Sequence, residues 1–187
     1  MTDLRIKKSQ RALLDASFQV LLHNPHASLS EIASQASVGR ATLYRHFPTR
    51  ENLITAISVE SLEIVKDAMT PIITSDNQGE AAFRKLIAAL LPLADRFHFL
   101  QMVWTLIEMD QEFLDLYGKQ METVKQWIQQ GQRQGEINAD LTPDWVVSVL
   151  DSLLYSASWM LAQGAMNKDD VEQQLVHTLL KGIQTST

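Results

Sequence analysis

Apolar residues recur at helical spacing along almost the whole chain of 187 residues. Only seven glycines and five prolines interrupt this pattern, and no strand of consequence stands out. Amphipathic helices can bury their apolar stripes only by packing against other elements, and here those elements are helices as well. The sequence therefore predicts an all-α protein.

The composition is that of a folded protein, with 45% hydrophobic and 20% charged residues. Because there is no cysteine, disulfides, thiol catalysis and cysteine-ligated zinc are excluded. The first residues are polar and basic and lack the apolar stretch of a signal peptide. No apolar run approaches the roughly 20 residues needed to span a bilayer. We therefore expect a cytoplasmic protein with no membrane partner.

Charge is distributed unevenly about a formal net charge of −6. Residues 1–55 contain seven Lys and Arg against four Asp and Glu, whereas the rest of the chain contains nine against eighteen. A small basic end on a large acidic body suits a protein that approaches a polyanion end-on. We predict two domains, residues 1–55 and residues 56–187. The polar loop from Ile73 to Gly79 is a further candidate boundary.

Turn residues and caps predict where the helices begin and end. The predicted helices cover residues 5–22, 29–36, 40–47, 50–69, 80–91, 92–117, 118–134, 143–163 and 168–183. Pro71 is expected to end the fourth helix, and Pro92 to begin or kink the sixth. Ser28 and Glu31 have the spacing of a capping box at the start of the second.

Two short helices on either side of the tight turn Ser37–Gly39 suit the placement of the second helix in a major groove. In that second helix Leu43 and Phe47 lie four residues apart and can both pack inward. The polar residues around them remain outward, where they can donate hydrogen bonds to base edges or phosphates. Surface helices of enzymes also carry Arg, Tyr and His, so this composition alone is only moderately specific.

The complete string of residues is much more specific. It consists of Ile32-Ala33, Ala36-Ser37-Val38, Ala41-Thr42-Leu43-Tyr44-Arg45-His46-Phe47 and Arg50-Glu51-Asn52-Leu53. Over about residues 5–55 the chain resembles the N-terminal domain of the tetracycline-repressor (TetR) family. Ser37 departs from the pattern, since that family usually has glycine there, and a positive φ would cost a serine about 1 kcal/mol. The resemblance implies a three-helix helix-turn-helix domain followed by a larger helical domain for ligand binding and dimerisation.

The resemblance also implies the DNA contacts, position by position. The residues expected to face the groove or its rim are Arg40, Ala41, Thr42 and Arg45. The residues expected to contact phosphates or the backbone are Tyr44, His46, Arg50, Ser30 and Lys8. Arg50 would be assisted by the positive N-terminal end of its helix. Tyr44 could instead pack against the first helix, and His46 could be buried with a backbone partner.

A single module of this kind makes few contacts, so specific binding to a palindromic operator usually requires a dimer. The two C-terminal helices carry an apolar stripe that is too wide for one core face. We expect a homodimer interface there, although an ordinary core pair of helices would show the same pattern. The expected interface residues are Val146, Val149, Leu150, Leu153, Leu154, Ala157, Leu175 and Leu179.

The middle helices are rich in aromatic and thioether side chains. Such residues fill ordinary cores, and as a set they also suit an adaptable apolar cavity for a small molecule. Regulators of the TetR family hold an effector in this region, so the resemblance implies a small apolar or amphipathic effector. The candidate lining residues are Phe99, Met102, Trp104, Met109 and Trp159.

No catalytic constellation or phosphate-cradling glycine loop stands out. Glu108 and Glu112 share a helical face, but a solvated acidic surface explains them better than a metal site. We therefore predict no enzyme activity, no cofactor and no metal. The predicted function is that of a transcription regulator, a repressor, which a small molecule releases from double-stranded DNA. The alternatives are an architectural DNA-binding protein without effector control, and a helical enzyme or small-molecule-binding protein whose N-terminal unit is structural.

Overall fold

The computed structural model describes residues 2–75 and 79–183, and the side chains of residues 10–75 and 79–181. This part of the chain is almost entirely helical and contains no strand. Its helices are α1 (Thr2–His23), α2 (Leu29–Gln35), α3 (Arg40–His46), α4 (Arg50–Ile73), α5 (Gly79–Leu90), α6 (Ala94–Ile107), α7 (Gln111–Arg133), α8 (Pro143–Ala162) and α9 (Lys168–Ile183). A single 3₁₀ turn, Leu91–Leu93, precedes α6. The all-α prediction is confirmed.

The chain folds as two compact units, and unit 1 consists of residues 1–61 and 102–114. It contains α1, α2, α3, the beginning of α4, the end of α6 and the beginning of α7. The large side chains buried in the first four of these helices include Leu13, Leu14, Phe18, Leu21, Ile32, Leu43, Leu53, Ile54 and Ile57. Because α2 and α3 have only seven residues each, neither would be stable as an isolated helix, and burial against their neighbours must hold them.

Unit 2 consists of residues 62–101 and 115–187 and has one continuous hydrophobic core. The end of α4 contributes to this core together with α5, α7, α8 and α9. Its members include Met69, Phe83, Leu86, Ile87, Trp127, Ile128, Val146, Leu150, Leu175 and Leu179. The rings of Phe83 and Trp127 lie with their centroids 4.7 Å apart, and α8 packs along α9.

The prediction of one helix over residues 92–117 is wrong, because α6 ends at Ile107 and α7 begins only at Gln111. Asp110 starts α7 by accepting a hydrogen bond at Oδ1 from the main-chain N–H of Phe113, at 3.0 Å. This is the geometry of an N-cap, and Asp is among the residues that favour it. Gly118, where the prediction placed the next boundary, lies inside α7. One glycine costs a helix only about 1 kcal/mol, which a 23-residue helix can absorb.

Pro71 does not end α4, which continues to Ile73. A proline inside a helix removes one main-chain hydrogen bond and clashes with the preceding turn. Here it lies in the last turn, where little helix remains to be disrupted. The hydroxyl of Thr70 donates to the carbonyl of Lys66 at 2.6 Å, and the hydroxyl of Thr74 donates to the carbonyl of Thr70 at 2.7 Å. Both of these carbonyl groups precede the proline, and that of Thr70 also accepts a hydrogen bond from the main-chain N–H of Thr74 at 3.1 Å.

Two helical stretches, Gly79–Ile107 and Pro143–Ala162, are long and apolar enough to cross a membrane by length and composition alone. The apolar runs of the sequence predicted no such stretch. The first of them is α5, the 3₁₀ turn and α6 in succession, and the second is α8. Both contribute side chains to the core of unit 2, and the core helix of a soluble protein passes the same test. They are weak evidence for a membrane segment.

Candidate DNA-binding and effector sites

The start of α2 is fixed by a capping box. The main-chain N–H of Ser28 donates to Oε2 of Glu31 at 2.8 Å, and the main-chain N–H of Glu31 donates to Oγ of Ser28 at 3.3 Å. Hydrogen bonds from the Ser28 side chain and main chain hold the pKa of Glu31 below its ordinary value. The capping box predicted from the sequence is therefore confirmed, and it orients the helix that precedes the turn.

The turn between α2 and α3 contains a left-handed residue, since φ of Ser37 is 55°. The main-chain N–H of Val38 donates to the carbonyl of Ala33 at 2.9 Å, which is the long bond of a Schellman helix ending. Glycine is the usual residue at this position because it has no Cβ to clash. Gly39 then takes an extended conformation and acts as the N-cap of α3. The positive φ that the sequence analysis considered at Ser37 is thus present.

Helix α3 is anchored by one face and open on the other. Leu43 and Phe47 are buried, as their spacing predicts. The side chains of Arg40, Ala41, Tyr44 and Arg45 are exposed, and those of Thr42 and His46 are half-buried. Tyr44 exposes 45% of its surface, so it is not enclosed by its own unit. A seven-residue helix therefore presents two guanidinium groups and a phenol to its surroundings.

The residues expected beside α3 have more varied surroundings. Ser30 is half-buried early in α2. Arg50 donates from Nε to the carbonyl of Ala27 at 3.0 Å and from Nη2 to the carbonyl of Pro25. Its side chain therefore holds the loop between α1 and α2, a role that the sequence analysis missed. Contact between Arg50 and a phosphate stays a prediction, and the side chain of Lys8 lies outside the described residues.

The eight residues expected at a dimer interface divide into two groups. Six of them are buried in the core of unit 2 within one chain, namely Val146, Leu150, Leu154, Ala157, Leu175 and Leu179. Only Val149 and Leu153 are partly exposed. An ordinary pair of core helices would bury these six residues in the same way. The most exposed apolar side chain of α8 is Trp145, with 60% of its surface accessible.

The five candidate effector residues also have different surroundings. Phe99 is fully buried and Met102 half-buried, whereas Trp104, Trp159 and Met109 are exposed, the last to 89%. Phe99 and Trp159 belong to unit 2 and the other three to unit 1. None of the five lines the cavity that the structure contains in unit 2. A role for these five residues in effector binding stays a prediction, since side chains of both kinds also fill cores and lie at the surface.

The cavity in unit 2 has a volume of about 30 Å³ and is lined by residues of α4, α5, α6, α7 and α8. Its lining consists of Val65, Met69, Leu86, Leu90, Phe97, Gln120, Met121, Val124, Val147, Leu150, Asp151 and Leu154. Ten of these twelve residues are apolar, and the other two are Gln120 and Asp151. A space of this size holds a water molecule or two, whereas ligand pockets are about ten times larger.

Asp151 is the charged group in the cavity lining. It accepts a hydrogen bond from the hydroxyl of Tyr117 at 2.8 Å. Burial raises the pKa of the Asp151 carboxyl, and the Tyr117 hydrogen bond opposes this only in part. Burial and the nearby carboxylate also raise the pKa values of Tyr117 and Tyr155. We call these three residues the Asp151 cluster.

The sequence of α8 contains an indication of the Asp151 cluster, which the predictions above did not include. Beyond its first turn, α8 carries no charged residue except Asp151. A carboxylate within an apolar stripe must either reach solvent or be buried with a partner. In the described part of the chain, no group of three or more His, Asp and Glu side chains could hold a metal ion.

Comparison with known proteins agrees with the helix-turn-helix geometry. Residues 13–57, which include α2, α3 and the start of α4, match the family described as bacterial regulatory proteins, tetR family. The chain is 24% identical over 179 residues to the transcriptional repressor LfrR of Mycolicibacterium smegmatis, covering 96% of this chain and 92% of LfrR. It is 24% identical over 149 residues to the transcriptional regulator NfxB of Pseudomonas aeruginosa, covering 76% of this chain and 77% of NfxB.

Solved structures extend this likeness to the fold of both units. The structure of LfrR from Mycobacterium smegmatis in complex with proflavine superposes with a TM-score of 0.78 at 23% identity, covering 97% of this chain and 99% of that one. A transcriptional regulator from Saccharomonospora viridis in complex with choline gives 0.77 at 19% identity, covering 96% and 100%. The helix-turn-helix region of this chain, residues 13–57, is therefore that of the tetR family of bacterial regulatory proteins, and the whole chain is similar to LfrR in sequence and in fold.

Proposed function

We propose that this chain is a cytoplasmic, sequence-specific transcriptional repressor. It would bind a palindromic operator as a homodimer and leave it when a small molecule binds unit 2. The observation that carries the proposal is the exposed face of α3, with Arg40, Tyr44 and Arg45 outward on a helix anchored by Leu43 and Phe47. Regulators of this family are generally not enzymes, and the proposal needs no catalytic step and no cofactor.

The exposed face of α3 has the chemistry that reads DNA. Arg40 and Arg45 each carry a guanidinium whose paired N–H groups match the O6 and N7 acceptors of guanine. Tyr44 and His46 can donate to phosphate oxygens, which position a module without reading sequence. Arg50 stabilises the position of α2, because its side chain donates hydrogen bonds to the loop that leads into that helix. Contacts to bases are therefore assigned to Arg40 and Arg45.

The dimer is supported by the family and by the surface of α8 and α9. Regulators of the tetR family bind DNA as dimers. Between α8 and α9 runs a groove of about 300 Å³. Its lining residues are Leu153, Ser156, Ala157, Met160, Met166, Val171, Gln174, Leu175 and Thr178. We therefore propose that the interface is formed by the exposed edge of the apolar stripe, where Leu153 and Met160 are accessible, and not by its buried residues.

Release by a small molecule is supported by the continuity of α4. This helix begins at Arg50 in unit 1 and contributes Val65 and Met69 to the cavity of unit 2. A ligand that enlarges the cavity must displace those side chains, and a helix transmits such a displacement along its axis. Two solved relatives contain small molecules, proflavine in LfrR and choline in the regulator from Saccharomonospora viridis. A ligand releases DNA only if it binds the released conformation more tightly.

Selection of bound sequences from random DNA tests the proposal. We expect the selected sequences to share a palindrome whose half-sites are one helical turn, or a multiple of it, apart. In a footprinting experiment the protein should protect this palindrome as a discrete region. Arg45→Ala should lose about 1–3 kcal/mol of binding free energy and relax the preference at one position of each half-site. Lys181→Ala is the matched control, because this exposed lysine lies in the last turn of α9. Uniform protection without a palindrome would instead indicate an architectural DNA-binding protein, and no protection would exclude DNA binding.

A further inference from the structure

The lining of the cavity in unit 2 is apolar except for Gln120 and Asp151. Of these two, only Asp151 can carry a charge. Gln120 is 3% exposed, and its amide already donates to the carbonyl of Leu62 at 2.6 Å. That bond joins α7 to α4 and gives the amide N–H a structural role. The carboxylate of Asp151 is therefore the feature of the lining that could select a ligand by charge.

The carboxylate of Asp151 accepts a hydrogen bond but forms no ion pair within the part of the chain whose side chains are described. Tyr117 supplies the donor. Among the residues whose side chains are described, no Lys, Arg or His forms an ion pair with Asp151, although other carboxylates of unit 2 are paired in this way, such as Asp144 with Lys125 at 2.6 Å. Asp151 is half-buried, and a carboxylate in that position with one neutral donor is only partly compensated for the water it has lost. An incoming cation would supply the missing charge.

Aromatic rings lie near the same position. Phe97 lines the cavity, and its ring meets that of Tyr155 edge-on, with centroids 5.9 Å apart. Tyr155 lies one helical turn beyond Asp151 on α8 and is near enough for the carboxylate to raise its pKa. The face of an aromatic ring carries partial negative charge and attracts cations, more strongly where water is excluded. The rings and the carboxylate therefore favour the same sign of charge.

The size of the cavity requires that its side chains move. A volume of about 30 Å³ does not admit an organic molecule of ten or more heavy atoms. Met69 and Met121 are part of the lining, and methionine changes rotamer at low cost because its side chain is unbranched. The space is thus too small for such a ligand in this structure, and binding would require the flexible apolar side chains to rearrange.

We propose that the effector of this regulator is a small organic cation with an apolar or aromatic body, whose charge pairs with Asp151 between Tyr117 and Tyr155. The apolar lining would take the body of the molecule. This inference rests on the proposed function, because it specifies the chemistry of the effector that releases the DNA. It assigns to Asp151 a ligand-selecting role rather than a purely structural one.

Three probes of similar shape and different charge test the inference: phenyltrimethylammonium, its neutral isostere tert-butylbenzene, and the anion benzenesulfonate. Binding to the full-length protein is followed by calorimetry and tryptophan fluorescence. We expect the cation to bind at least about tenfold more tightly than the neutral isostere, since charge attraction to a carboxylate and to aromatic rings in a partly desolvated site contributes about this much. The anion should bind more weakly than either.

Two variants assign the preference to one carboxylate. Asp151→Asn keeps the shape and removes the charge, and the ratio between cation and isostere should fall to within about twofold. Asp169→Asn is the matched control, because it removes an equal charge from an exposed position in the first turn of α9, and it should keep the wild-type ratio. If Asp151→Asn does not fold, the three probes on the wild-type protein still decide the matter.

The inference is overturned if the isostere binds as tightly as the cation, if Asp151→Asn keeps the preference, or if none of the probes binds up to its solubility limit. DNA binding is measured on the same preparations without any probe. Normal operator binding together with no cation preference would reject this inference and leave the regulator intact. A cation preference in a protein that binds no DNA would reject the proposed function and leave the ligand site standing.

Discussion

Ser37 occupies a left-handed backbone position that glycine fills at lower cost, with φ of 55°. Ser37→Gly should raise the free energy of unfolding by about 0.5–1 kcal/mol, because it removes the Cβ clash. Denaturant unfolding measures this change, and DNA affinity should stay the same. Ser34→Gly, at an exposed helical position of α2, should lower stability by about 0.5 kcal/mol. Equal effects of the two substitutions would contradict this account of the turn.

Asp151 should lower stability at neutral pH. Burial raises the pKa of its carboxyl in the folded protein, so the folded state prefers the protonated form. Stability linked to this group is fully present below the unfolded pKa and is lost as pH rises through the folded pKa. Asp151→Asn should therefore unfold at higher denaturant concentration at pH 7, by about 1 kcal/mol.

The comparison across pH contains its own control. The difference between Asp151→Asn and the wild type should shrink as pH falls below the ordinary range of an aspartate, because both side chains are then neutral. Asp169→Asn, which removes an exposed charge, should show no comparable gain at pH 7. A variant less stable than the wild type at pH 7 would mean that hydrogen bonding of the ionised carboxylate outweighs its burial.

At the level of the elements, Arg50 connects the start of α4 to the loop before α2. Arg50→Ala should lower the free energy of unfolding by about 1–3 kcal/mol, since it removes two hydrogen bonds from a charged donor. DNA affinity should fall without a change in its salt dependence. If Arg50 instead contacts a phosphate, the slope of log K against log salt should decrease by about 0.9. Arg45→Ala is the control, because its exposed side chain should affect DNA binding and leave stability unchanged.

The ends of the helices show which local signals suffice. Ser28 and Glu31 predicted the start of α2 correctly, because both partners of the capping box lie within four residues of each other. Asp110 is an equally local N-cap for α7, yet the apolar periodicity runs on through it and concealed the break. Pro71 shows the opposite case, in which a strong breaker is accommodated inside the last turn of α4. Periodicity locates helices well and their ends less well.

For the whole molecule, the prediction concerns the groove between α8 and α9. Ser156 is exposed and lines the groove. Ser156→Arg would place a bulky charge where a second copy packs, and near a two-fold axis it would face its own counterpart. The dissociation constant of the dimer should rise at least about 100-fold, since burying unpaired charge costs several kcal/mol. Gln173→Arg, at an exposed position of α9 outside the groove lining, should leave it unchanged. Sedimentation equilibrium measures both, and an unchanged Ser156→Arg dimer would place the interface elsewhere.

The sequence by itself determined the helix-turn-helix module and the all-α fold of this chain. The module depends on neighbours close in sequence: the capping box, the turn at Ser37, and the spacing of Leu43 and Phe47. Tertiary structure decided which side chains of the apolar helices face a cavity, the core or solvent. Phe99 and Trp159 have similar chemistry, yet one is fully buried and the other half exposed. Burial depends on packing between distant segments, so periodicity could not show that Asp151 on α8 would meet Tyr117 on α7 beside a cavity.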